Sequence, residues 1–351
     1  MASLGTPGLV LVFLAGAVAT WVAGIWLSKT TDALDARLGL GDELGGLVLL
    51  SLAGSLPELA ITVSAAASGH LGLAAGNLIG GIAMQTMVLV VCDIAVGPER
   101  PLTYLVGRLT PVLEALLVMI VVSGTLMGAL LEPKYAIGGV VSPASIAIVV
   151  VWLVGLYTIN RARKEPRWQI EMPGSSPGRR MSDRHAEESH PYKNVSTIRV
   201  AAVFGVACVV TLLAGIALEV SGNDLASRAG VNGVIFGATV LAIASALPEI
   251  SSGIAAVRLG DNALAIGDVF GGNAFQVCLF LVADIVAMKP VLPSAGNRNA
   301  WLAVLGIALT AIYGFGVIGR PARCRARLGP DSWLALIVFA VGVAGLFAVH
   351  N

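Results

Sequence analysis

Ten apolar segments, each about 20 residues long, run through this chain and constrain its fold more than any other feature. A segment of that length can cross the hydrocarbon core of a bilayer as an α-helix. Only 12% of the residues are charged and 56% are hydrophobic, so the sequence predicts an all-α, polytopic membrane protein with ten transmembrane helices. The predicted segments lie at 8–28, 44–68, 72–97, 104–130, 137–160, 197–219, 232–257, 262–288, 298–318 and 331–350.

A polar stretch at 161–196 divides the ten segments into two groups of five. It is rich in charged residues and carries Pro, Gly and Ser, so we expect a solvated loop. If this loop lies inside the cell, the loops on its side of the membrane hold 18 of the 22 Lys and Arg residues. That distribution satisfies the positive-inside rule. We therefore expect an integral protein of the cell (inner) membrane, with both termini outside and the 161–196 loop cytoplasmic.

Residues 56–85 and 247–276 are two copies of one motif, related by an offset of 191 positions without a gap. Twelve of the 30 aligned positions are identical. Each half holds an odd number of segments, so the second copy enters the membrane from the opposite side, as in inverted-topology repeats. The sequence predicts a first five-helix repeat at 1–160, with its motif at 46–95, and a second at 197–351, with its motif at 237–286. The identical pairs include Pro57/Pro248, Glu58/Glu249, Gly76/Gly267, Gly80/Gly271, Gly81/Gly272 and Gln85/Gln276.

A proline precedes a glutamate in each copy of the motif. Because Pro57 and Pro248 have no N–H group, the carbonyls of Ala53 and Ala244 lose their helical donor. In a membrane, such carbonyls are tolerated only where they face protein or a wet cavity. A bound cation would satisfy them.

The side chains around these carbonyls offer oxygen ligands. Ser51, Ser55 and Glu58 share one helix face, and Ser245 precedes Glu249 by one helical turn. Two carboxylates in a low-dielectric site need a counter-charge, which a divalent cation or protons would supply. An all-oxygen set suits Ca²⁺. The candidate ligands are Glu58, Glu249, Ser55, Ser245, Gln85, Gln276, Ala53, Gly54 and Ala244. We expect Ser51, Asn77 and Asp268 to lie behind these ligands, and Asn77 and Asp268 to orient the crossing helices.

Glycines recur every four residues in the first motif, at Gly72, Gly76 and Gly80, and Gly267 and Gly271 repeat the last pair. This small-residue pattern favours close approach of helix backbones. We expect that approach to bring both glutamines to the same centre as the glutamates.

Three further acidic residues lie within or near the ends of the apolar segments. Asp93 and Asp284 keep the repeat offset but lie near the ends of their segments, where we expect a structural role close to the interface. Glu114 lies inside the fourth segment, and the sequence identifies no partner for it.

The two copies resemble the α-repeats of the Ca²⁺/cation antiporter superfamily, which includes the sodium/calcium exchangers and their prokaryotic relatives. The resemblance implies one Ca²⁺ between Glu58 and Glu249, exchanged by alternating access for Na⁺ or H⁺. It also implies membrane lipid and small cations as partners, with no prosthetic group and no nucleic acid. It rests on SLPEL (Ser55–Leu59), GNLIGG (Gly76–Gly81), ALPEI (Ala246–Ile250) and GDVFGG (Gly267–Gly272).

The motifs differ from the sodium-coupled pattern of that superfamily. Sodium-coupled members read Gly-Thr-Ser before Leu-Pro-Glu, whereas this chain reads Ala53–Ser55 in one copy and Ala244–Ala246 in the other, so each copy lacks a hydroxyl. Both copies also carry glutamine where sodium exchangers carry Asn or Asp, which is closer to the proton-coupled exchangers. The counter-ion therefore stays open between Na⁺ and H⁺.

Other functions stay open at this point. The chain could be a cation channel or a non-transporting membrane protein, and the cation could be another divalent such as Mg²⁺ or Mn²⁺. An enzyme is disfavoured because the segments show no nucleophile–base set and no His/Cys cluster. The sequence leaves the oligomeric state undetermined.

Overall fold

The computed structural model describes residues 4–38, 53–164, 195–294 and 296–349. Within these residues the regular structure is helical, with two isolated β-bridges and no strand. Short helical turns occur at Leu102–Leu105, Pro133–Tyr135 and Leu292–Ser294. The longer helices are α1 (Thr6–Leu38), α2 (Leu56–Ala67), α3 (Leu71–Val96), α4 (Thr110–Ala129), α5 (Pro143–Lys164), α6 (Thr197–Arg228), α7 (Gly233–Ser245), α8 (Leu247–Arg258), α9 (Asn262–Gln276), α10 (Leu279–Ala287), α11 (Gly296–Gly319) and α12 (Pro330–Leu346).

Seven spans in the described part of the chain are long and apolar enough to cross a membrane, namely α1, α3, α4, α5, α6, α9 with α10, and α11. The bent pair α7 and α8 makes an eighth. Two further apolar helices are shorter, with 12 residues in α2 and 17 in α12. The second predicted segment also needs residues 44–52, which lie outside the described residues.

Helices α1 and α6 extend well beyond the predicted segments, to 33 and 32 residues. They run antiparallel, and the arginine near the C-terminus of each one reaches the first residue of the other. Arg37 Nη1 donates to Thr197 Oγ1 at 3.1 Å, and Arg228 Nη1 donates to Thr6 Oγ1 at 3.2 Å. These contacts let helical structure continue into polar sequence, so the predicted ends at residues 28 and 219 are too early.

The predicted loop at 161–196 also begins too early, because α5 continues through Lys164. Its last turn carries Arg163, which is held by an ion pair to a buried glutamate on α4. Residues 165–194 lie outside the described part of the chain.

Each Pro-Glu pair begins a helix, whereas the sequence analysis placed both prolines inside longer helical segments. Pro57 and Pro248 occupy the first helical turns of α2 and α8, where a missing N–H group is tolerated. The chain bends by 45° between α7 and α8, around Ala246, whose φ of −84° and ψ of 1° interrupt the helix. A π-helical turn at Gly237–Leu241 loosens α7 before this break.

Repeat-related helices pack against each other: α1 on α6, α3 on α9, and α4 on α11. Asn273 Nδ2 on α9 donates to the Ile82 carbonyl on α3 at 3.4 Å, across a separation of 191 residues. That separation equals the repeat offset, so two equivalent positions meet where the central helices cross.

The glycine pattern of the first motif produces the close approach that the sequence predicts. A Cβ at Gly76 would lie 2.6 Å from the Val234 carbonyl oxygen, and one at Gly80 would collide with Ala238. The helix that approaches the α3 glycines closely is therefore α7. The second copy differs, because a Cβ at Gly271 would meet no atom within 4 Å. Its glycine pair does not make an equivalent close contact there.

Asp93 and Asp284 hold loops in place, which confirms a structural role. Their exposed fractions are 1% and 0%, so both are buried among protein atoms near the C-terminal ends of α3 and α10. Each one accepts hydrogen bonds from backbone N–H groups of two separate loops: Leu102 and Gly329 at 2.7 Å for Asp93, and Ser142 at 2.9 Å and Val291 at 2.7 Å for Asp284.

Candidate cation site

Glu58 and Glu249 lie in the first turns of α2 and α8, directly after the two prolines. The backbone N–H groups at a helix N-terminus favour negative charge, so both helices support a carboxylate there. Glu58 is fully buried, and Glu249 is half-buried. Pro57, directly before Glu58, lines one cavity together with Pro248 and Glu249, so the two helix starts lie side by side. The structure therefore brings the two repeat-related glutamates together.

Gln85 of α3 contacts Glu58 directly, whereas Gln276 of α9 contacts the α3 backbone. Gln85 Nε2 donates to Glu58 Oε1 at 3.1 Å, and Gln276 Nε2 donates to the Asn77 carbonyl at 3.2 Å. Both amide groups thus use their N–H₂ group for protein contacts, which leaves their oxygens available.

Four buried side-chain oxygens of the predicted ligand set have no hydrogen-bond partner among the described residues. Buried polar atoms without partners are rare in folded proteins, and a bound ion can account for such atoms. Two of these oxygens are carboxylate atoms and two are amide atoms, which are ligands that a hard cation accepts. The atoms are Glu58 Oε2, Glu249 Oε2, Gln85 Oε1 and Gln276 Oε1.

The serines and carbonyls of the predicted ligand set lie around this centre in different ways. Ser245 is buried beside the Glu58 carboxyl group, and its hydroxyl donates to the Ala242 carbonyl at 3.3 Å. Ser55 is buried in the turn before α2. Ala53 and Ala244 are also buried, in the helical turns before the two breaks. Ser51 lies outside the described residues.

Asn77 connects the crossing helices through its backbone. Its carbonyl accepts the bond from Gln276, and its N–H group lies against Gly237 of α7, where a Cβ would be 3.0 Å away. The side-chain amide of Asn77 is fully buried and has no partner in the described part of the chain.

A cavity of about 50 Å³ opens beside Glu249. Of the predicted site residues, Ala53, Gly54 and Asp268 line it together with Glu249. Asp268 therefore faces the cavity, whereas the sequence analysis predicted for it only a role in orienting helices. The remaining lining residues are Gly24, Leu27, Ser28, Thr31, Pro57, Pro248 and Ser252.

Sequence reasoning missed the hydroxyls of this cavity. Ser252 follows Glu249 by three residues, and this spacing places both on one helix face, so it could have been found. Ser28 and Thr31 come from α1, which lies outside both motifs, and no sequence signal connects them to the site.

Glu114 also has a partner that the sequence did not reveal. Its Oε1 pairs with Arg163 Nη2 of α5 at 2.7 Å, across 49 residues. The other oxygen, Oε2, lies against Gly267 on α9, where a Cβ would be 2.8 Å away. This acidic side chain is thus next to Asp268, with a cation on its other side.

The two acidic motifs thus lie in a bundle of apolar helices and carry buried oxygens of the kinds that hard cations accept. The sequence matches the family described as "Sodium/calcium exchanger protein" over residues 8–159 and 199–349, and the chain belongs to that family. Its members are membrane-embedded cation antiporters, and they are transporters rather than enzymes. The chain is therefore an integral membrane protein of the Ca²⁺/cation antiporter superfamily.

Two relatives are similar over most of their length. The "Putative antiporter CaxA" of Alkalimonas amylolytica is 24% identical over 273 residues, which are 77% of this chain and 78% of the relative. The "Inner membrane protein YrbG" of Escherichia coli is 25% identical over 304 residues, which are 85% of this chain and 87% of the relative.

Two solved structures share the fold. The "H+/Ca2+ Exchanger CAX" superposes with a TM-score of 0.66 at 15% identity, covering 97% of this chain and 82% of the other. The sodium-calcium exchanger NCX_Mj superposes with a TM-score of 0.59 at 14% identity, covering 98% and 99%.

Proposed function

We propose that this protein is a secondary active antiporter that exchanges Ca²⁺ for Na⁺ or H⁺ by alternating access, with the Ca²⁺ held between Glu58 and Glu249. The observation that carries the proposal is a set of four side-chain oxygens, two from these glutamates and two from Gln85 and Gln276, that are buried without hydrogen-bond partners among the described residues. The names of the two similar solved proteins, an H⁺/Ca²⁺ exchanger and a sodium-calcium exchanger, support the same activity.

The ligand chemistry supports Ca²⁺ as the transported ion. Ca²⁺ takes about six to eight oxygen ligands in flexible geometry. Two glutamates and the oxygens of Gln85 and Gln276 supply four, and the Ser245 hydroxyl lies beside them. The carbonyls of Ala53 and Ala244, which lack a helical donor because of the prolines, together with Ser55 and the Gly54 backbone, complete the set.

Exchange follows from the charge of this centre. Two carboxylates in a buried site repel each other, and either one Ca²⁺ or monovalent cations can neutralise them. The protein can then switch an occupied site from one side of the membrane to the other. An empty site carries two negative charges, and these oppose the same switch. Competition between the two kinds of cation for the same oxygens couples their movement, with no prosthetic group involved.

For the whole chain we propose ten transmembrane helices arranged as two inverted repeats of five, 1–160 and 197–351, joined by a cytoplasmic loop at 161–196. Two features support this plan. Equivalent helices of the two halves pack on each other, and the equivalent aspartates Asp93 and Asp284 each tie two loops together. The charge distribution of the sequence favours both termini outside the inner membrane.

Transport in proteoliposomes tests the proposal. A Na⁺ gradient and a pH gradient are imposed separately, and ⁴⁵Ca²⁺ uptake is measured for each one. We expect uptake to depend on one of the two gradients and to saturate with Ca²⁺. Uptake without any counter-ion, together with a passive conductance, would instead favour a channel. Competition by Mg²⁺ and Mn²⁺ in the same assay reports on divalent selectivity.

The site assignment is tested with Glu58→Gln and Glu249→Gln. Removing one partner from a buried charge arrangement costs about 3 kcal/mol or more, so we expect Ca²⁺ affinity to fall on the order of 100-fold. Glu132→Gln is the matched control, because the Glu132 side chain is 63% exposed and pairs with Lys134 in a loop. Unchanged uptake in both site variants would contradict the assignment.

A further inference from the structure

A histidine at the turn between α2 and α3 contacts a glutamate that lies inside the helix bundle. His70 Nδ1 and Glu219 Oε1 of α6 are 2.8 Å apart. The His70 side chain is 36% exposed, whereas the Glu219 side chain is completely buried. An ionisable side chain at such a position in a membrane helix is costly unless it is paired, and it marks a functional site by default.

The hydrogen-bond partners of this pair define its protonation state. Ser64 Oγ donates to Glu219 Oε2 at 2.7 Å, so both carboxylate oxygens have a partner. Asn223 Nδ2 lies 3.2 Å from His70 Nε2, and an amide N–H₂ group can only donate. His70 Nε2 is therefore an acceptor, and Nδ1 carries the hydrogen that is donated to Glu219. In this arrangement the ring is neutral and the carboxylate is negatively charged.

Within the described part of the chain, no other side chain balances that negative charge. Arg228 of α6 donates instead to Thr6 and to the Leu4 carbonyl. Asp224 follows Asn223 on α6 and points about 100° further round the helix. Helix α7 has no ionisable residue, and α1 has none before Lys29. The remaining ionisable residues of the helices packed around the pair lie elsewhere along them, namely Glu58 on α2, Cys92 and Asp93 on α3, Arg199 and Cys208 on α6, and Asp284 on α10.

One added proton would balance the charge. A His70 ring protonated at both nitrogens forms an imidazolium–carboxylate pair with Glu219, and such charged hydrogen bonds are about twice as strong as neutral ones. A half turn of the Asn223 amide presents its oxygen to the new Nε2–H group. The N-terminus of α3, which follows His70, disfavours positive charge. The attraction that this proton needs therefore comes from Glu219.

The pair lies on the contact between α6 and α2, the helix that begins with Glu58. One turn before Glu219, Gly215 packs closely on α2. A Cβ at Gly215 would lie 2.5 Å from Ala60 Cβ and 3.1 Å from the Pro57 carbonyl oxygen. The chain thus joins α6 to α2 at the residue before Glu58 and again one turn further along. Relative movement of the two helices would separate the second of these contacts.

We propose that His70 and Glu219 form a proton-binding site, separate from the cation centre, which holds α6 against the turn between α2 and α3 when the proton is bound. With both termini outside, as proposed above, this turn faces the external medium, and the exposed part of the His70 ring gives protons access. Histidine changes its charge between about pH 5 and 8. The bound proton slows the movement of α2 against α6. The proton site does not depend on the proposed function, whereas its effect on transport rests on it.

Nitrogen-15 NMR of the histidine rings in the purified full-length protein tests proton binding directly. The chain contains four histidines, and the His70 signals are those that are missing from His70→Gln. We expect hydrogen on Nδ1 alone at about pH 8 and on both ring nitrogens at about pH 5. Hydrogen on Nε2 alone at the higher pH, or a ring that stays neutral at the lower pH, would overturn the proposal.

Exchange of ⁴⁵Ca²⁺ for unlabelled Ca²⁺ in proteoliposomes tests the effect on transport. The rate is measured at saturating Ca²⁺ and at equal pH on both sides, so no counter-ion gradient contributes and protons compete little for the cation centre. We expect the wild type to exchange about fivefold more slowly at about pH 5.5 than at about pH 8. In His70→Gln the rate should change by less than about twofold. His190→Gln, in the polar stretch between the repeats, is the matched control and should respond like the wild type.

Two further variants separate the charge from the packing. Glu219→Gln removes the charge that attracts the proton, so exchange should become nearly independent of pH. Ser64→Ala removes a neutral hydrogen bond to the same carboxylate and leaves the His70 contact. Its exchange should keep the wild-type dependence on pH. Thermal melting of each variant checks that it is folded.

The outcomes distinguish this proposal from the proposed function. An equal pH response in wild type and His70→Gln, or the same loss of pH response in Ser64→Ala as in Glu219→Gln, would overturn the effect on transport and leave the antiporter proposal standing. A wild-type protein without ⁴⁵Ca²⁺ exchange at any pH would contradict the antiporter proposal, and the NMR measurement would still decide whether His70 binds the proton.

Discussion

Alanine at two equivalent glycines should have different effects on cation binding, although the chemical change is the same. Gly81 on α3 and Gly272 on α9 are related by the repeat and lie inside helices. A Cβ at Gly81 would collide with Gln276 Nε2. A Cβ at Gly272 would lie 3.9 Å from Gln85 Oε1, which is ordinary van der Waals contact.

The expected difference in stability between the two variants depends on which side chain the new Cβ displaces. The Gln276 amide is the end of a flexible side chain, so it can turn away without moving a helix, but it then loses its 3.2 Å bond to Asn77. Loss of that bond lowers the free energy of unfolding by about 1 kcal/mol. Replacing Gly by Ala inside a helix raises it by about 1 kcal/mol in both variants. We therefore expect Gly81→Ala to melt near the wild type and Gly272→Ala to be slightly more stable.

Cation affinity should separate the two variants more clearly than stability does. In Gly81→Ala the Gln276 oxygen leaves the centre with its amide, so Ca²⁺ affinity should fall by about fivefold to tenfold. In Gly272→Ala it should stay within about twofold of the wild type. Calorimetric titration of Ca²⁺ into the purified proteins measures both. Equal affinities in the two variants would refute the inference that Gln276 is a ligand.

Three further predictions concern packing, loops and orientation. Gly76→Ala pushes a Cβ against the α7 backbone and should lower the free energy of unfolding by about 1–3 kcal/mol, whereas Gly271→Ala should not; equal melting temperatures would contradict this. Asp284→Asn weakens three hydrogen bonds, including one from Ser145, and should lower the free energy of unfolding, measured by thermal melting, by about 3 kcal/mol. Cys324 lies in the loop after α11, where burial raises the pKa of its thiol, helped by nearby Asp carboxylates. Its labelling by an impermeant maleimide should therefore speed up as pH rises and should occur only from the cytoplasmic side; labelling from outside would reverse the proposed topology.

Much of the architecture could be predicted because it depends on local properties of the sequence. Apolar length alone indicated the membrane spans, and Pro57 and Pro248 indicated where the helical hydrogen bonding is interrupted, although not that new helices begin there. The helix ends were less predictable. The extensions of α1 and α6 depend on Arg37 and Arg228, whose partners lie more than 150 residues away in sequence.

The sequence by itself determined the family, the helical class and the two glutamates that the repeat makes equivalent. The tertiary structure decided which of the described oxygens are left without partners, which glycines contact a neighbouring helix, and that Thr31 and Asp268 border the same cavity. The physical reason is that apolar periodicity and the repeat offset are properties of the linear sequence, whereas distances between helices depend on how all side chains pack together. Thr31 on α1 therefore becomes part of this cavity only when α8 and α9 are placed beside it.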